Sequence, residues 1–231
     1  MSRDIINTTL LALSFLSLFG VAELLYYKCH VKAELTRKLV HIGTGFLTLL
    51  FPVLLHNQWL VLLLCATFAL IILASLRFHF LKSINGIDRK SHGSISYPVA
   101  VYGCYLVYDY YARKNAIAPD PYLYFYLPIL TLAICDPVAA LAGKNFPYGR
   151  FTIGSDTKTL VGSSAFFVSS FTLGIVLFLC FAHGVSWGLL LPVAVLIAAL
   201  AAVSEALSGK GIDNITIPAT VVIILVLFFH A

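Results

Sequence analysis

Apolar stretches separated by short polar segments run along the whole chain. A helix that crosses the hydrocarbon core of a bilayer needs about 17–25 mostly apolar residues. Eight stretches come close to or reach this length, at residues 5–27, 39–56, 59–76, 96–112, 120–143, 160–182, 185–205 and 215–231. The pattern predicts an all-α fold, a polytopic membrane helix bundle with about eight transmembrane helices.

The composition excludes a soluble protein. Of the 231 residues, 60% are hydrophobic and 11% are charged, whereas soluble domains carry about 25% charged residues. No internal repeat or soluble segment is visible, so residues 1–231 are predicted to form a single membrane domain. The five cysteines are scattered without a C-x-x-C motif, which argues against a disulfide framework and a zinc site.

The basic residues are distributed unevenly between the connections. Twelve of the 15 lysines and arginines follow the first, third, fifth and seventh stretches. The positive-inside rule places these connections in the cytoplasm. They also hold most of the polar residues, so an active site is predicted on the cytoplasmic face of an integral, multi-pass protein. No nucleic-acid partner is expected, and the oligomeric state stays open.

The first polar cluster enters the second stretch, in the sequence LTRKLVHIGTG at 35–45. On a helix, Arg37, His41 and Gly45 fall on one stripe. Anchoring at the membrane surface explains Arg37 and Lys38 equally well, but it does not require a histidine. All three polar side chains, Arg37, Lys38 and His41, are therefore candidates for nucleotide binding.

A second cluster precedes the fourth stretch, at residues 84–98. Glycine lets backbone N–H groups approach a phosphate, and basic and hydroxyl side chains supply further donors. Arg89, Lys90 and Ser94 are the candidate nucleotide-binding residues here. An ordinary polar loop is the alternative.

One acid, Asp136, interrupts the apolar run of the fifth stretch. A charge at membrane depth costs about 3 kcal/mol or more, and intramembrane acids are functional by default. On a helix, Asp136 shares a face with Ala139, Ala140 and Gly143, which would permit close helix contact. Pro137 is expected to loosen the helix and to free backbone carbonyls.

The segment 149–170 offers a third set of donors. It is predicted to form a loop followed by a helix, with Lys158 at the helix start and Gly162 further along the same stripe. Lys158, Thr159 and Gly162 would then form a polyphosphate site among free N–H groups. Lys144, from the preceding connection, is a further candidate, and no Walker A motif occurs in the chain.

Two more acids and an amide lie in the last polar segment, at 204–218. Glu205 and Asp213 would meet Asp136 at the same membrane face, with Asn214 beside them as a nucleotide ligand. Carboxylate oxygens suit Mg²⁺, which keeps water and phosphate oxygens as its other ligands. The residues alone therefore predict a nucleotide and Mg²⁺ site at the mouth of a helix bundle.

Five motifs carry a resemblance to a known family, and they occur in the order RKLVHIGTG, RKSHGSISYP, CDPVAALAGKNFPYG, KTLVGSSAFF and EALSGKGIDNITIP. Over residues 35–220 the chain resembles the phytol kinase and dolichol kinase group of polytopic lipid-alcohol kinases. The resemblance implies transfer of the γ-phosphate, typically of CTP, to the hydroxyl of an isoprenoid alcohol. It also implies that Asp136 and Lys158 are catalytic, and that the metal ligands are Asp136, Glu205 and Asp213.

Several alternatives stay open at this point. A lipid cytidylyltransferase would use similar residues, but the dense acidic signature expected near its C-terminus is missing. An ion-coupled transporter could use Asp136 and Glu205 as relays, although transporter sites usually lie near the midplane. The sequence does not choose between CTP and ATP, between phytol, a polyprenol and diacylglycerol, or between base and metal ligand for Asp136.

Overall fold

The computed structural model describes residues 2–78, 80–86, 93–114, 119–153, 156–209 and 211–230, apart from the side chains of Ser2, Ser94 and His230. Its helices are α1 (Ser2–Tyr27), α2 (Ala33–Thr48), α3 (Phe51–Leu54), α4 (Gln58–Phe78), α5 (Lys82–Asn85), α6 (Gly93–Arg113), α7 (Leu123–Leu130), α8 (Asp136–Asn145), α9 (Leu160–Phe181), α10 (Trp187–Leu207) and α11 (Asp213–His230). A π-helical segment, Thr131–Cys135, joins α7 to α8. The all-α prediction is confirmed.

Six helical segments are long and apolar enough to cross a membrane: Arg3–Tyr27, Ala33–Leu54, Gln58–Phe78, Leu123–Asn145, Leu160–Phe181 and Trp187–Leu207. The other two predicted spans correspond to α6 and α11. Helix α6 has 21 residues but carries six tyrosines, and the apolar part of α11, Asp213–Phe229, is shorter. The membrane helix bundle is confirmed, and the count of eight is approximate.

Helix α7 lies at the centre of the bundle. Its side chains from Leu123 to Leu130 are almost all buried, and Leu123, Phe125 and Leu127 are 0% exposed. Helices α6, α9 and α11 pack around it. Because protein rather than lipid surrounds this helix, it can tolerate an irregular backbone and a polar residue at membrane depth.

The π-helical segment precedes Pro137, the second residue of α8. Proline has no N–H, and its ring clashes with the carbonyl of the residue four positions earlier, here Ala133. The wider π turn accommodates that ring. Such π turns inside α-helices are frequent at functional sites, and this one ends directly before Asp136.

Two helix contacts depend on glycine. A side chain on Gly45 of α2 would overlap the methyl group of Ala133 in the π segment. A Cβ atom on Gly143 of α8 would lie 2.5 Å from Oγ1 of Thr159 and 3.5 Å from Cα of Gly162. The small-residue contact expected for the face of Asp136 is therefore present, and it brings α8 against α9.

The segment before α9 differs from the expectation. The predicted loop forms an antiparallel pair of strands, β1 (Arg150–Ile153) and β2 (Asp156–Thr159). Lys158 was predicted at a helix start, which is wrong, because it lies in β2 and α9 begins at Leu160. Threonine, phenylalanine and isoleucine favour strands, and every second residue of RFTI and DTKT is one of them.

Candidate functional site

A cavity of about 680 Å³ opens where one end of the bundle meets the β-strand pair. We call it the polar cavity. It is bordered by parts of α2, α8, α9, α10 and α11 and by both strands. Its charged lining residues are the cations Arg37, Lys38, Lys144, Arg150 and Lys158 and the acids Glu34, Asp136, Asp156, Glu205 and Asp213. The structure thus brings together most of the predicted site residues.

Asp136 is the first residue of α8 and lines the polar cavity. It lies nine residues before the end of α8 at Asn145, which is about 14 Å at 1.5 Å per residue. Three cations, Lys158, Lys38 and Arg37, attract its carboxylate, and Asp213 repels it. This carboxylate is therefore held at membrane depth by several charges rather than by one dedicated partner.

Lys158 and Glu205 form a buried ion pair. The ammonium of Lys158 donates a hydrogen bond to Oε1 of Glu205, and the two side chains are 19% and 6% exposed. Burial alone would lower the pKa of Lys158, but the charge and hydrogen bond of Glu205, with the charges of Asp136 and Asp213, raise it above its ordinary value. Lys158 therefore stays cationic at neutral pH.

Asp213 and Asn214 begin α11 beside this pair. The backbone N–H of Asn214 donates to Oδ1 of Asp213 over 3.1 Å. The side-chain amide of Asn214 donates to the carbonyl of Gly93 over 2.6 Å, which ties α11 to the start of α6. Asn214 lines the polar cavity as predicted, and it also has this structural role.

Among the residues that the structure describes, no group of three histidines, cysteines or acids converges on one point. Asp136, Glu205 and Asp213 nevertheless line one cavity and interact electrostatically. Mg²⁺ is usually held by one or two carboxylates, with phosphates and water completing its shell. Asp136 and Asp213 suit that arrangement, whereas Glu205 is engaged by Lys158.

An ion-pair network joins α2 to α8 at the rim of the polar cavity. Lys144 donates to Oε2 of Glu34 over 2.8 Å, and Lys38 lies 3.8 Å from the other oxygen of the same carboxylate. The predicted ligands Arg89 and Lys90 lie outside the described residues. The backbone of Ser94 belongs to α6, and its side chain is likewise not described.

Thr159 and Gly162 border the polar cavity, but both also shape the start of α9. The Thr159 hydroxyl oxygen accepts a hydrogen bond of 3.0 Å from the N–H of Gly162, as an N-cap residue does. Gly162 packs against the backbone of α8, where a Cβ atom would lie 3.0 Å from the carbonyl oxygen of Ala139. Their contribution to nucleotide binding stays a prediction.

The side chain of His41 hydrogen-bonds a backbone carbonyl of the π segment. Its Nε2 atom lies 3.1 Å from the carbonyl oxygen of Leu132. In a π-helix the N–H of residue i+5 would bond that carbonyl, but for Leu132 this residue is Pro137, which has no N–H. Because a carbonyl oxygen only accepts, Nε2 must donate. The expectation that Pro137 frees a carbonyl is confirmed, and His41 is the residue that satisfies it.

Asp156 was not among the predicted site residues. It is 3% exposed and lines the polar cavity. A Cβ atom on Gly209 would lie 3.0 Å from Oδ2 of Asp156, so this carboxylate packs against the connection from α10 to α11. Asp156 and Lys158 are two residues apart on β2 and share a face. The alternation of RFTI and DTKT was the available signal.

Comparison with known proteins identifies the family. No family model matches the chain, and no solved structure is significantly similar to it. The chain is 30% identical to phytol kinase of Synechocystis over 197 residues, which span 85% of this chain and 80% of that protein. Because the similarity extends over most of both sequences and the fold is a membrane helix bundle, the protein belongs to the phytol kinase family and is a lipid kinase of that family.

Proposed function

We propose that this protein transfers the γ-phosphate of CTP to the hydroxyl of an isoprenoid alcohol such as phytol or a polyprenol, at the cytoplasmic face of the membrane. The observation that carries the proposal is the polar cavity, which combines five cations with five acids and reaches down to Asp136. The family resemblance supports CTP, and the name of the Synechocystis relative supports phytol. ATP and other lipid alcohols are the alternatives.

The cations of the polar cavity suit a triphosphate. Arg37 and Lys38 approach from α2, Lys144 from α8, and Lys158 from β2. Phosphoryl transfer depends on positioning and on balancing charge at the transferred group. Of these cations, Lys158 has the strongest charge interaction with Asp136 and is hydrogen-bonded to Glu205, so we assign it to the β- and γ-phosphates. Its ammonium would then be shared between Glu205 and the nucleotide.

Asp136 and Asp213 are the residues that would hold Mg²⁺, which would balance phosphate charge when bound. In the reaction, the alcohol oxygen bonds to the γ-phosphorus, the bond from that phosphorus to the β-phosphate oxygen breaks to release CDP, and the hydroxyl proton passes to Asp136 or to water. Asp136 either accepts this proton or serves the metal. Both roles require an ionised carboxylate at this depth.

The decisive experiment follows the two labelled phosphates separately. Purified protein in lipid receives Mg²⁺, phytol or a short polyprenol, and CTP or ATP labelled at the α or the γ position. We expect label in the organic phase from the γ position only, with CTP at least as good a donor as ATP. The Asp136→Asn variant is the matched negative control.

Two other outcomes would replace the proposal. Organic-phase label from the α position, with release of pyrophosphate, would identify a cytidylyltransferase. Absence of lipid label with every alcohol, together with ion-dependent solute uptake by vesicles, would identify a transporter.

A further inference from the structure

A second, apolar cavity adjoins the polar one. It has a volume of about 90 Å³ and lies between α1, α2, α4 and α6. We call it the apolar cavity. Its walls include Phe15 and Phe19 of α1, Phe68 of α4 and Val101 of α6. These rings pack on each other, with centroids of Phe15 and Phe68 4.7 Å apart and those of Phe19 and Phe68 5.8 Å apart.

The two cavities meet at a common boundary, which we call the neck. Arg37, His41 and Asn214 line both of them. His41 is fixed there on two sides, because Nε2 bonds the carbonyl of Leu132 over 3.1 Å and the ring of Tyr97 stands edge-on at 4.9 Å. Asn214 is held by its 2.6 Å bond to Gly93. A molecule with a polar end and an apolar body, bound at this boundary, would have the polar cavity on one side and the apolar cavity on the other.

We infer that the apolar cavity binds the hydroxyl-proximal isoprene unit of the lipid alcohol, with the hydroxyl at the neck beside His41 and Asn214. This inference rests on the proposed function and adds a site for the acceptor. An apolar cavity of about 150 Å³ holds one benzene, with six carbons. By the same ratio a cavity of 90 Å³ has room for about three or four carbons, which is most of one isoprene unit, and the rest of the chain extends beyond it.

The arrangement explains how a reaction between a charged nucleotide and an apolar chain can occur at membrane depth. The acceptor oxygen would lie between the apolar wall and the cations, so it reaches the phosphate while its chain stays out of the polar cavity. Selection would then depend on the shape of the first isoprene unit rather than on total chain length.

A substitution that fills the apolar cavity, followed by steady-state kinetics with the alcohol, tests the inference. Val101 is 2% exposed and lines the apolar cavity, whereas Val99, on the same helix, is 57% exposed. We expect Val101→Phe to lower kcat/KM for the alcohol about tenfold or more, because loss of two buried methylene contacts has that effect. The KM for the nucleotide should not change. Val99→Phe adds the same volume outside the cavity and should behave like the wild type.

Enlarging the cavity provides an independent variant. Phe68→Ala opens the far wall, so it should shift preference toward alcohols with a bulkier group next to the hydroxyl. The ratio of kcat/KM between a bulky and a slender alcohol is the measurement. An unchanged ratio in Phe68→Ala, together with an unchanged kcat/KM for the alcohol in Val101→Phe, would overturn the inference.

Cross-linking gives a readout that does not need turnover. An isoprenoid alcohol with a diazirine on its first unit should label peptides of α2, α4 or α6 in the wild type and much less in Val101→Phe. Excess unlabelled alcohol should protect, whereas the matching hydrocarbon without a hydroxyl should not. Equal protection by the hydrocarbon would show a generic acyl-chain site and would overturn the inference.

The two proposals fail in different ways. The proposed function fails if the wild type transfers γ-phosphate to no alcohol. The inference alone fails if transfer occurs and neither cavity variant alters cross-linking or acceptor kinetics.

Discussion

The ammonium of Lys158 on β2 is hydrogen-bonded to the carboxylate of Glu205 at the end of α10. This ion pair connects β2 to α10 across the polar cavity. Removing one partner of a buried ion pair leaves an uncompensated charge and typically costs about 3–5 kcal/mol. The pair therefore has to be tested for stability and for activity separately.

Lys158→Met and Glu205→Gln should each lower the thermal stability of the protein in detergent, and the double variant should regain much of the loss. Phosphoryl transfer should not return in the double variant, because the cation assigned to the phosphates is still absent. Lys114→Met, at an exposed lysine over the ring of Tyr110, is the control. Full activity of the double variant would contradict the phosphate role of Lys158.

The same pair predicts a pH dependence. The pKa of Lys158 is raised, so the stabilisation from its charged form is complete below the ordinary lysine pKa of about 10.4 and is lost only as pH rises above it. Between about pH 6 and pH 9 Lys158 should therefore stay charged, and it should cause no change in the unfolding temperature of the wild type. A loss of stability in that range that Lys158→Met abolishes would show that Lys158 deprotonates near neutrality.

Asp136→Asn should lower turnover by about a hundredfold or more, the lower end of general-base and electrostatic contributions. Expression and stability should change little, since an amide is cheaper to bury. Asp109→Asn, which removes the partner of Arg113 on α6, is the matched control. A residual activity that recovers with excess Mg²⁺ would indicate a metal ligand, and one that recovers at high pH would indicate a base. Near-normal turnover would make Asp136 structural.

Removing the metal should stop lipid phosphorylation, and Mg²⁺ should restore it. Asp213→Asn should raise the Mg²⁺ concentration needed for half-maximal rate, because it removes one of two carboxylates suited to the ion. Asp109→Asn, whose carboxylate pairs with Arg113 and does not line the polar cavity, should leave that requirement unchanged. Equal activity in excess chelator would contradict the magnesium proposal.

Orientation can be tested with impermeant thiol reagents. Exposed Cys29 and Cys180 are first replaced by serine. A cysteine at Tyr148, which is 78% exposed before β1, should then react only after the membrane is opened. A cysteine at exposed His183, between α9 and α10, should react in intact cells. The opposite pattern would place the polar cavity outside the cell.

Hydropathy and residue spacing determined the membrane helix bundle, because burial of an apolar helix in lipid needs no particular neighbour. They also identified Asp136, Glu205 and Asp213, since an acid next to an apolar run is conspicuous in any context. The strand pair is not predicted because its two strands have four residues each, so their alternation is a weak signal beside the loop-forming glycines and serine around them. Lys158 was consequently assigned to the wrong element.

Only the tertiary structure decided which of these polar groups meet. Lys158 and Glu205 are 47 positions apart, and His41 and Leu132 are 91 positions apart. No local preference encodes such pairs, because they depend on how α2 packs against the π segment and how α10 packs against α9, which follows β2. The apolar cavity is equally invisible in the sequence: its rings belong to separate helices, and the space between them exists only after those helices have packed.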